Sequence, residues 1–243
     1  MKQTIFTITE NAALTATVYK MVLVGDTDGI TTGQFVNILL DGLYLRRPIS
    51  VCDCQGDTLT LVYKVVGKGT AQMAAMTAGQ TLDVLTGLGN GYDLSKAGDK
   101  PLLLGGGVGV PPLYMLARQL REQGKAVSVV LGFNTADEVF YEQEFAALGC
   151  DVTVTTADGS HGVKGFVTDA LPADYSYFYT CGPEPMLKAV YKSTVTSGQF
   201  SFEERMGCGF GACMGCSCKV ITGYKRICKD GPVLEKEEIL WDA

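Results

Sequence analysis

The chain has 243 residues, 47% of them hydrophobic, which is long and apolar enough for two domains with real cores. Its 20 lysines and arginines against 26 aspartates and glutamates give a net charge of −6, and without a basic cluster or arm, nucleic acid is excluded as an expected partner. The sequence has no segment typical of an export signal or a membrane span, so its nine cysteines predict the reducing cytoplasm and metal binding in place of disulfides.

Residues 1–96 have the alternation of polar and apolar side chains that is typical of β-strands. Strands are predicted at residues 4–9, 16–22, 35–40 and 59–66, and glycine-rich turns separate them. Several short strands of this kind indicate a small antiparallel β-barrel.

Two segments of the predicted barrel have groups suited to a phosphate. In Arg46-Arg47-Pro48-Ile49-Ser50, Arg47 offers a planar cationic donor and Ser50 a hydroxyl. The segment 67–70 (Gly-Lys-Gly-Thr) precedes a predicted helix at residues 71–78, whose N-terminus suits an anion. Taken alone, an arginine and a proline at a strand end are equally typical of an ordinary surface, and the glycine-dense loop 87–91 is equally typical of a turn.

Residues 97–200 alternate strands and helices, which predicts a parallel sheet covered on both faces. Strands are predicted at residues 101–104, 127–131, 152–155 and 177–180, and helices at residues 111–123, 137–148 and 184–196. Ligands in such sheets bind at the carboxyl ends of the strands.

Two segments at those strand ends are candidates for a nucleotide site. Gly105-Gly106-Gly107-Val108-Gly109 joins the first strand to a helix, as in the βα unit that binds dinucleotides, although Val110 replaces the third glycine of the usual pattern. Cys181-Gly182-Pro183-Glu184-Pro185-Met186 ends the last predicted strand and opens a helix. By itself, Cys181 is equally compatible with a small buried residue.

Four cysteines near the C-terminus have the spacing of iron–sulfur ligands. Cys208, Cys213, Cys216 and Cys228 are spaced C-x4-C-x2-C-x11-C, as in plant-type [2Fe–2S] sites. Intervening glycines, at positions 207, 209, 211 and 215, let the backbone approach inorganic sulfur, and their N–H groups can stabilise the cluster.

A structural zinc site is the alternative, but zinc favours two short C-x2–4-C pairs and this segment has one. Cys218 also lies near the set. Using it in place of Cys216 would open the C-x2-C pair to C-x4-C, so Cys218 is interpreted as a packing residue. The single histidine, His161, lies in a polar loop and is interpreted as surface. No nucleophile–base constellation is found, so no catalytic residue is predicted.

The order of these segments resembles the ferredoxin reductase superfamily: a barrel with Arg-Pro-x-Ser, a glycine loop, then Cys-Gly-Pro-x-Pro-Met. Two further segments narrow this resemblance to one family within the superfamily. They are the pattern Glu-Arg-Met-x-Cys-Gly-x-Gly-x-Cys at residues 204–213 and the segment 226–233. Over its whole length the chain resembles the electron-transfer subunits of type B dihydroorotate dehydrogenases.

This resemblance implies three domains: an FAD-binding barrel at residues 1–96, an NAD-binding domain at 97–200 and a [2Fe–2S] domain at 201–243. It implies that FAD is held by Arg47, Pro48, Ile49, Ser50, Val62, Tyr63, Lys64, Gly69 and Thr70. It implies NAD at Gly105, Gly106, Gly107, Val108, Gly109, Cys181, Gly182, Pro183 and Met186. The implied cluster ligands are Cys208, Cys213, Cys216 and Cys228.

The resemblance also implies the function. Electrons would pass from dihydroorotate to the FMN of a partner catalytic subunit, then through the cluster and FAD to NAD⁺, in pyrimidine biosynthesis and in a heterotetramer. Flavin belongs between the other two because it exchanges both single electrons and hydride. The chain is thus expected to be an oxidoreductase subunit that does not oxidise dihydroorotate alone. Two alternatives stay open: the same module serving another dehydrogenase or a ferredoxin, and a non-enzymatic zinc or redox-sensing protein.

NAD is expected in preference to NADP. Residues 132–138 follow a predicted strand at the place where the adenosine ribose is recognised in such folds. This segment has no arginine or lysine, and Asp137 and Glu138 would repel a 2′-phosphate.

Overall fold

The computed structural model describes residues 1–241. They form a closed six-stranded barrel, a seven-stranded sheet and a two-stranded hairpin. The predicted combination of an antiparallel barrel and a parallel-sheet domain, followed by a small C-terminal segment, is confirmed. Within these 241 residues, no helix is both long and apolar enough to cross a membrane.

The barrel closes because alternate residues of each strand point to a common core. Its strands, with spatial order β1-β2-β5-β4-β3-β6, are β1 (Lys2–Ala13), β2 (Val18–Val24), β3 (Phe35–Ile38), β4 (Arg47–Gln55), β5 (Thr58–Lys64) and β6 (Thr81–Leu88). On β1, Phe6 and Ile8 are buried whereas Ile5 is exposed. Helix α1 (Lys68–Ala74) inserts Met73 into the same core; it begins three residues before the predicted start.

The second unit is built on six parallel strands. They are β7 (Pro101–Gly106), β8 (Ser128–Phe133), β9 (Asp151–Thr156), β10 (Val163–Lys164), β11 (Tyr177–Cys181) and β12 (Gly198–Ser201). The sheet runs in the order β10-β9-β8-β7-β11-β12. The helices that accompany it are α2 (Tyr114–Glu122), α3 (Glu142–Ala147) and α4 (Glu184–Ser193). Strands β10 and β12 were not predicted.

Two predicted helices differ from the structure. The helix expected from residue 111 begins as a 3-10 turn at Pro111–Leu113 and becomes α-helical only at Tyr114. The prediction of one helix over residues 137–148 was wrong, because a 3-10 turn at Ala136–Glu138 is separated from α3. Three residues separate them, and the last of these, Tyr141, has φ +68°, a conformation that no helix interior accepts. Its buried hydroxyl accepts a hydrogen bond from the Cys52 thiol of the barrel at 3.3 Å.

The C-terminal segment contains a hairpin of β13 (Ser217–Val220) and β14 (Gly223–Arg226), and then β15 (Val233–Glu235). Strand β15 pairs antiparallel with β12 and so becomes the seventh strand of the parallel sheet. The division into domains at 96/97 and 200/201 stays a prediction. Its second boundary falls inside β12, and residues 242 and 243 lie outside the described residues.

Polar contacts fix β15 in place. The Glu235 carboxylate accepts from Lys96 Nζ at 2.7 Å, from the Tyr177 hydroxyl at 2.7 Å and from Gln199 Nε2 at 2.8 Å. Burial opposes ionisation of Glu235, but these donors lower its pKa overall. The C-terminal segment is therefore tied to the parallel sheet by a half-buried carboxylate with three donors.

The loop 87–91, which the sequence leaves open as a possible turn, joins all three units. Asn90 donates from Nδ2 to the Val233 carbonyl at 2.7 Å and accepts from the Val233 N–H at 2.9 Å. The amide side chain thus pairs with β15 as a neighbouring strand would. Gly89 has φ +74°, and a Cβ there would come within 2.6 Å of Pro232 Cδ, so glycine is required for this close approach.

The barrel and the parallel sheet are joined by an ion pair of low exposure. Arg118 of α2 donates from Nη2 to Asp53 Oδ1 of β4 at 2.7 Å and to the Cys54 carbonyl at 3.1 Å. The two side chains are 16% and 11% exposed. Because both charges are paired and hydrogen-bonded, the contact gives the two units a defined relative orientation.

Candidate functional site

Arg47 of the barrel lies over the first turn of α1. A Cβ at Gly69 would overlap the Arg47 guanidinium, so the arginine reaches the helix only because this residue is glycine. The Thr70 hydroxyl accepts from the N–H groups of Val66 at 2.9 Å and Gly67 at 3.3 Å, which holds the entry to the helix. A cationic fork beside first-turn N–H groups is a donor set that suits the diphosphate of FAD.

The other predicted FAD residues divide into two groups. Pro48 and Ser50 lie on β4 opposite Asn37 and Phe35 of β3. The side chains of Ile49, Val62 and Tyr63 are engaged in the protein cores. Val62 and Tyr63 are buried, whereas Ile49 is half-buried.

Lys64, the last predicted FAD residue, lines a cleft between the barrel and the parallel sheet. The sheet side of this cleft is formed by Gly107 and Val108 of the predicted NAD loop. The structure thus brings one predicted FAD residue and two predicted NAD residues to a single cleft. Phe133, which also lines the cleft, lies in the segment 132–138 predicted to meet the ribose. Sequence reasoning missed Thr15, Thr17, Val18 and Phe140, because local patterns do not show which residues the docking of the two units brings together.

The two predicted NAD segments interlock at the carboxyl edge of the sheet. Cys181 of β11 is the register partner of Gly105 of β7. A Cβ at Gly106 would overlap Met186 Sδ, and a Cβ at Gly109 would overlap the Cys181 carbonyl. Both glycines therefore serve the packing of one segment on the other. Gly107, with φ +51° and no neighbour within 4 Å of an added Cβ, faces open space.

Cys181 is a neutral thiol at the end of β11. Burial raises its pKa to about 12, against a smaller opposing effect of the Ser201 hydroxyl. A thiol with this pKa is protonated at neutral pH and is not an activated nucleophile.

The segment expected to meet the adenosine ribose lies at the same cleft through Glu138. The Glu138 carboxylate accepts from Asn134 N at 3.2 Å and from Asn134 Nδ2 at 2.7 Å, while Asp137 accepts from the Thr135 hydroxyl. Glu138 is thus a negative charge at the cleft wall. The cation in this cleft, Lys64, comes from the barrel and was not considered in the sequence-based argument.

The four predicted cluster cysteines form two pairs, Cys208 with Cys213 and Cys216 with Cys228. Backbone N–H groups point at three of their sulfurs: Ala212 N at Cys208 Sγ (3.2 Å), Gly215 N at Cys213 Sγ (3.5 Å) and Cys228 N at Cys216 Sγ (3.4 Å). Burial opposes ionisation of Cys208, yet the N–H groups around it lower its pKa overall. By their chemistry, four thiols with N–H donors to three of the sulfurs fit an iron–sulfur cluster.

The loop between these cysteines has the backbone that the glycines predict. Gly209 and Gly211 have φ of +79° and +91°, and Gly207 lies where a Cβ would be 3.3 Å from Cys213 Sγ. Met214 adopts φ +61° without being glycine. Within residues 1–241, no three His, Cys, Asp or Glu side chains form a group that could hold a metal ion.

Arg226 ties the two halves of the cluster segment together. It donates from Nη1 to the Gly211 carbonyl at 2.8 Å and makes a two-point contact with Asp230, Nε–Oδ2 3.0 Å and Nη2–Oδ1 3.3 Å. One contact is to the loop of Cys208 and Cys213, and the other is to the turn that carries Cys228. The sequence marked this arginine only through its resemblance to known relatives.

Cys218 lies on β13 opposite Lys225. Burial, followed by the nearby Glu204 charge, raises the pKa of its thiol. Its half-buried side chain packs on the core that contains Cys216 and Cys228. This placement is compatible with a packing residue, and its exclusion from the ligand set stays a prediction.

Three features define the class of ferredoxin-reductase-like electron-transfer oxidoreductases. They are a barrel with an arginine suited to phosphate, a parallel nucleotide-binding sheet and a four-cysteine segment. The model of the iron–sulfur cluster binding domain of dihydroorotate dehydrogenase B matches residues 203–240. The model of the oxidoreductase NAD-binding domain matches residues 103–192. These matches favour the iron–sulfur interpretation of the cysteines over zinc.

Full-length relatives identify the family. The dihydroorotate dehydrogenase B (NAD(+)) electron transfer subunit of Geobacillus sp. (strain WCH70) is 43% identical over 256 residues, covering 99% of both chains. That of Bacillus caldolyticus is 48% identical over 223 residues, 86% of each chain. The chain belongs to the family of dihydroorotate dehydrogenase B electron transfer subunits. Family and fold confirm the predicted cofactors, namely FAD, NAD and an iron–sulfur cluster.

A solved structure shows the same fold over almost the whole chain. It is that of an NADH-dependent reduced ferredoxin–NADP oxidoreductase, described in connection with flavin-based electron bifurcation. Its TM-score is 0.88 at 31% identity, and the match covers 97% of this chain and 90% of that chain. The relative arrangement of barrel, sheet and cysteine segment is therefore one that a known oxidoreductase also has.

Serine at any of Cys208, Cys213, Cys216 or Cys228 is expected to abolish or sharply change the cluster's EPR signal, because a thiolate ligand is lost. Cys218→Ser is the matched control, because Cys218 lies on β13 two residues after Cys216 and is not a predicted ligand. It should leave the signal nearly intact. Loss of the cluster in Cys218→Ser would reassign the ligand set.

Arg47→Ala is expected to lose FAD preferentially. Removing a charge-assisted pair to phosphate weakens binding by about 1.5–3 kcal/mol, roughly 10- to 100-fold. Arg47→Lys keeps the charge without the planar fork and should give an intermediate affinity. The measurement is the flavin retained after gel filtration, with iron content as the reference. Wild-type retention in Arg47→Ala would refute the assignment.

Glu138→Gln is expected to improve the use of NADP relative to NAD, because it removes a negative charge from the cleft while an amide oxygen can still accept from Asn134. Glu142→Gln is the control, since the Glu142 carboxylate contacts His161 at 2.9 Å and is not among the residues that line the cleft. Steady-state kcat/KM for both nucleotides is the measurement. The wild-type chain should prefer NAD, and a wild-type preference for NADP would contradict the argument.

Proposed function

We propose that this chain carries electrons from the FMN of a dihydroorotate-oxidising catalytic subunit to NAD⁺ in pyrimidine biosynthesis. When bound, the [2Fe–2S] cluster would accept single electrons, and FAD would collect two of them and pass a hydride to NAD⁺. Two electrons leave dihydroorotate with two protons; NAD⁺ takes up both electrons with one proton, and the second proton is released to solvent. The relatives that carry this function in their name cover nearly the whole chain.

The observation that carries the proposal is the contact between the cysteine segment and the barrel. The Cys208 loop lies against β3, and β3 pairs with the β4 strand of Arg47. The other neighbour of β4 is β5, which ends at Lys64, and Lys64 shares a cleft with Gly107 and Val108. In space, the flavin segment thus lies between the cluster segment and the nucleotide loop. This arrangement supports the proposed order of electron transfer.

The side chains proposed for this work bind and orient. Arg47 and the first turn of α1 would hold the FAD phosphates, and Gly107 and Val108 would face the nucleotide. The protonated Cys181 adds no charge where a hydride would move. The chain therefore contributes spacing and electrostatics in place of acid–base catalysis.

The same module serving a ferredoxin is the second candidate. It is favoured by the match to the reduced ferredoxin–NADP oxidoreductase, at 31% identity. The dihydroorotate dehydrogenase B relatives are 43–48% identical and also match in the cluster segment. This difference supports the dihydroorotate assignment.

We further propose a cytoplasmic location and assembly with the catalytic subunit as a heterotetramer. All nine cysteines are free thiols in the structure, as expected in a reducing compartment. The partner would approach the exposed side of the cluster segment, where Cys213 and Met214 are solvent-accessible.

The purified chain is expected to oxidise NADH with artificial acceptors but to form no orotate from dihydroorotate. Its three units are assigned to FAD, nucleotide and cluster, so no unit is left for FMN and dihydroorotate. Adding the FMN-bearing catalytic subunit should produce dihydroorotate-dependent NAD⁺ reduction, followed as NADH absorbance.

The Cys213→Ser chain mixed with the same catalytic subunit is the control, and it should not support that reduction. A matched mixture with reduced ferredoxin as donor tests the second candidate. Orotate formation by the isolated chain would refute the proposed division of labour.

A further inference from the structure

The barrel and the cluster segment meet at the amide of Asn37. This residue lies on β3 and is 2% exposed. Its Nδ2 donates to the carbonyl of Cys208 at 3.3 Å. A barrel side chain thus holds the main chain of the first cluster cysteine.

The backbone of Asn37 contacts the segment that is proposed to bind FAD and the arginine that precedes it. Asn37 lies directly opposite Pro48 in the pairing of β3 with β4. Its carbonyl accepts from Arg46 Nη1 at 3.2 Å, and Arg46 is ion-paired with Asp83 at 2.9 Å. Asn37 therefore has the proposed FAD segment as its strand neighbour and the cluster loop at its side-chain end.

The fit between the amide and the loop is close. A Cβ at Gly209 would overlap Asn37 Nδ2, and Gly209 has φ +79°. The cluster loop reaches the amide only because this position is glycine. A change in size at either residue would move the loop relative to the barrel.

Barrel stability does not account for an asparagine here. The Cys208 carbonyl can only accept, so Nδ2 must face it and Oδ1 must point elsewhere. Asn37 Oδ1 is buried and has no hydrogen-bond partner among residues 1–241. A buried acceptor without a donor destabilises a fold, whereas the neighbouring Val36 and Ile38 simply fill the barrel core.

We propose that Asn37 is a positioning residue that sets the placement and the electrostatic surroundings of the cluster relative to the flavin-binding strand. The inference rests on the proposed function, because it takes Cys208 as a cluster ligand and Arg47–Ser50 as FAD residues. A donor to the main chain of a ligand is an outer-shell contact of the kind that tunes a metal centre.

The test uses the full chain with its cofactors and the variants Asn37→Asp and Asn37→Leu. Asn37→Asp is nearly isosteric, replaces the donor by a carboxylate and should lower the cluster's midpoint potential, since negative charge disfavours an added electron. Both variants should shift the EPR g-values. Electron transfer between flavin and cluster, followed by stopped-flow absorbance, should slow on the order of 10-fold.

Thr4→Val is the matched control. Thr4 Oγ1 is also a buried polar atom without a partner on a barrel strand, among the described residues. Thr4 lies on β1, paired with Val84 of β6. Its replacement should leave the EPR spectrum, the potential and the transfer rate unchanged.

Wild-type EPR spectrum and potential in both Asn37 variants, with normal flavin and iron content, would overturn the inference. Loss of FAD and cluster together in both variants would also overturn it, since Asn37 would then be a residue of barrel stability. A wild-type chain without flavin and iron–sulfur absorbance bands would refute the proposed function itself.

Discussion

The structure depends on the return of the chain to the parallel sheet after the cluster cysteines. Strand β15 pairs with β12, Glu235 collects three donors, and Asn90 of the barrel side pairs with Val233. These contacts anchor the C-terminal end of the cysteine segment, whose other end leaves the sheet at β12. Without them it would be an arm joined to the sheet at residue 201 alone, and its distance from the barrel would vary. Electron transfer between fixed centres requires that this distance be constant.

Close backbone approach is the second constraint. At the edge of the sheet, Gly106 and Gly109 let the glycine loop seat against Met186 and Cys181. In the cluster segment, Gly209 gives room to Asn37 and Gly211 to Lys229. Glycine in these loops therefore does more than permit positive φ. It brings main-chain N–H groups and neighbouring segments to distances that a Cβ would prevent.

The charges near the cysteines are arranged by long-range contacts. Arg226 joins the Gly211 carbonyl to Asp230, and Asn37 adds an uncharged donor from the barrel. Both act on the main chain of the segment and not on a cofactor directly. On the nucleotide side, Glu138 and Lys64 come from different units and face the same cleft. The electrostatic character of each site is thus decided where the units meet.

The sequence alone determined the fold class and predicted the four cysteine ligands and the two nucleotide segments, because strand alternation, ligand spacing and glycine loops are local features. Tertiary structure alone decided the cleft residues Thr15 and Thr17, the seventh strand, and the contacts of Asn37 and Asn90, whose partners lie 171 and 143 residues away. It also overturned the helix at 137–148, since the buried contact of Tyr141 with Cys52 overrides local helix propensity. Periodicity encodes which face of an element is buried, but not which distant residue it meets.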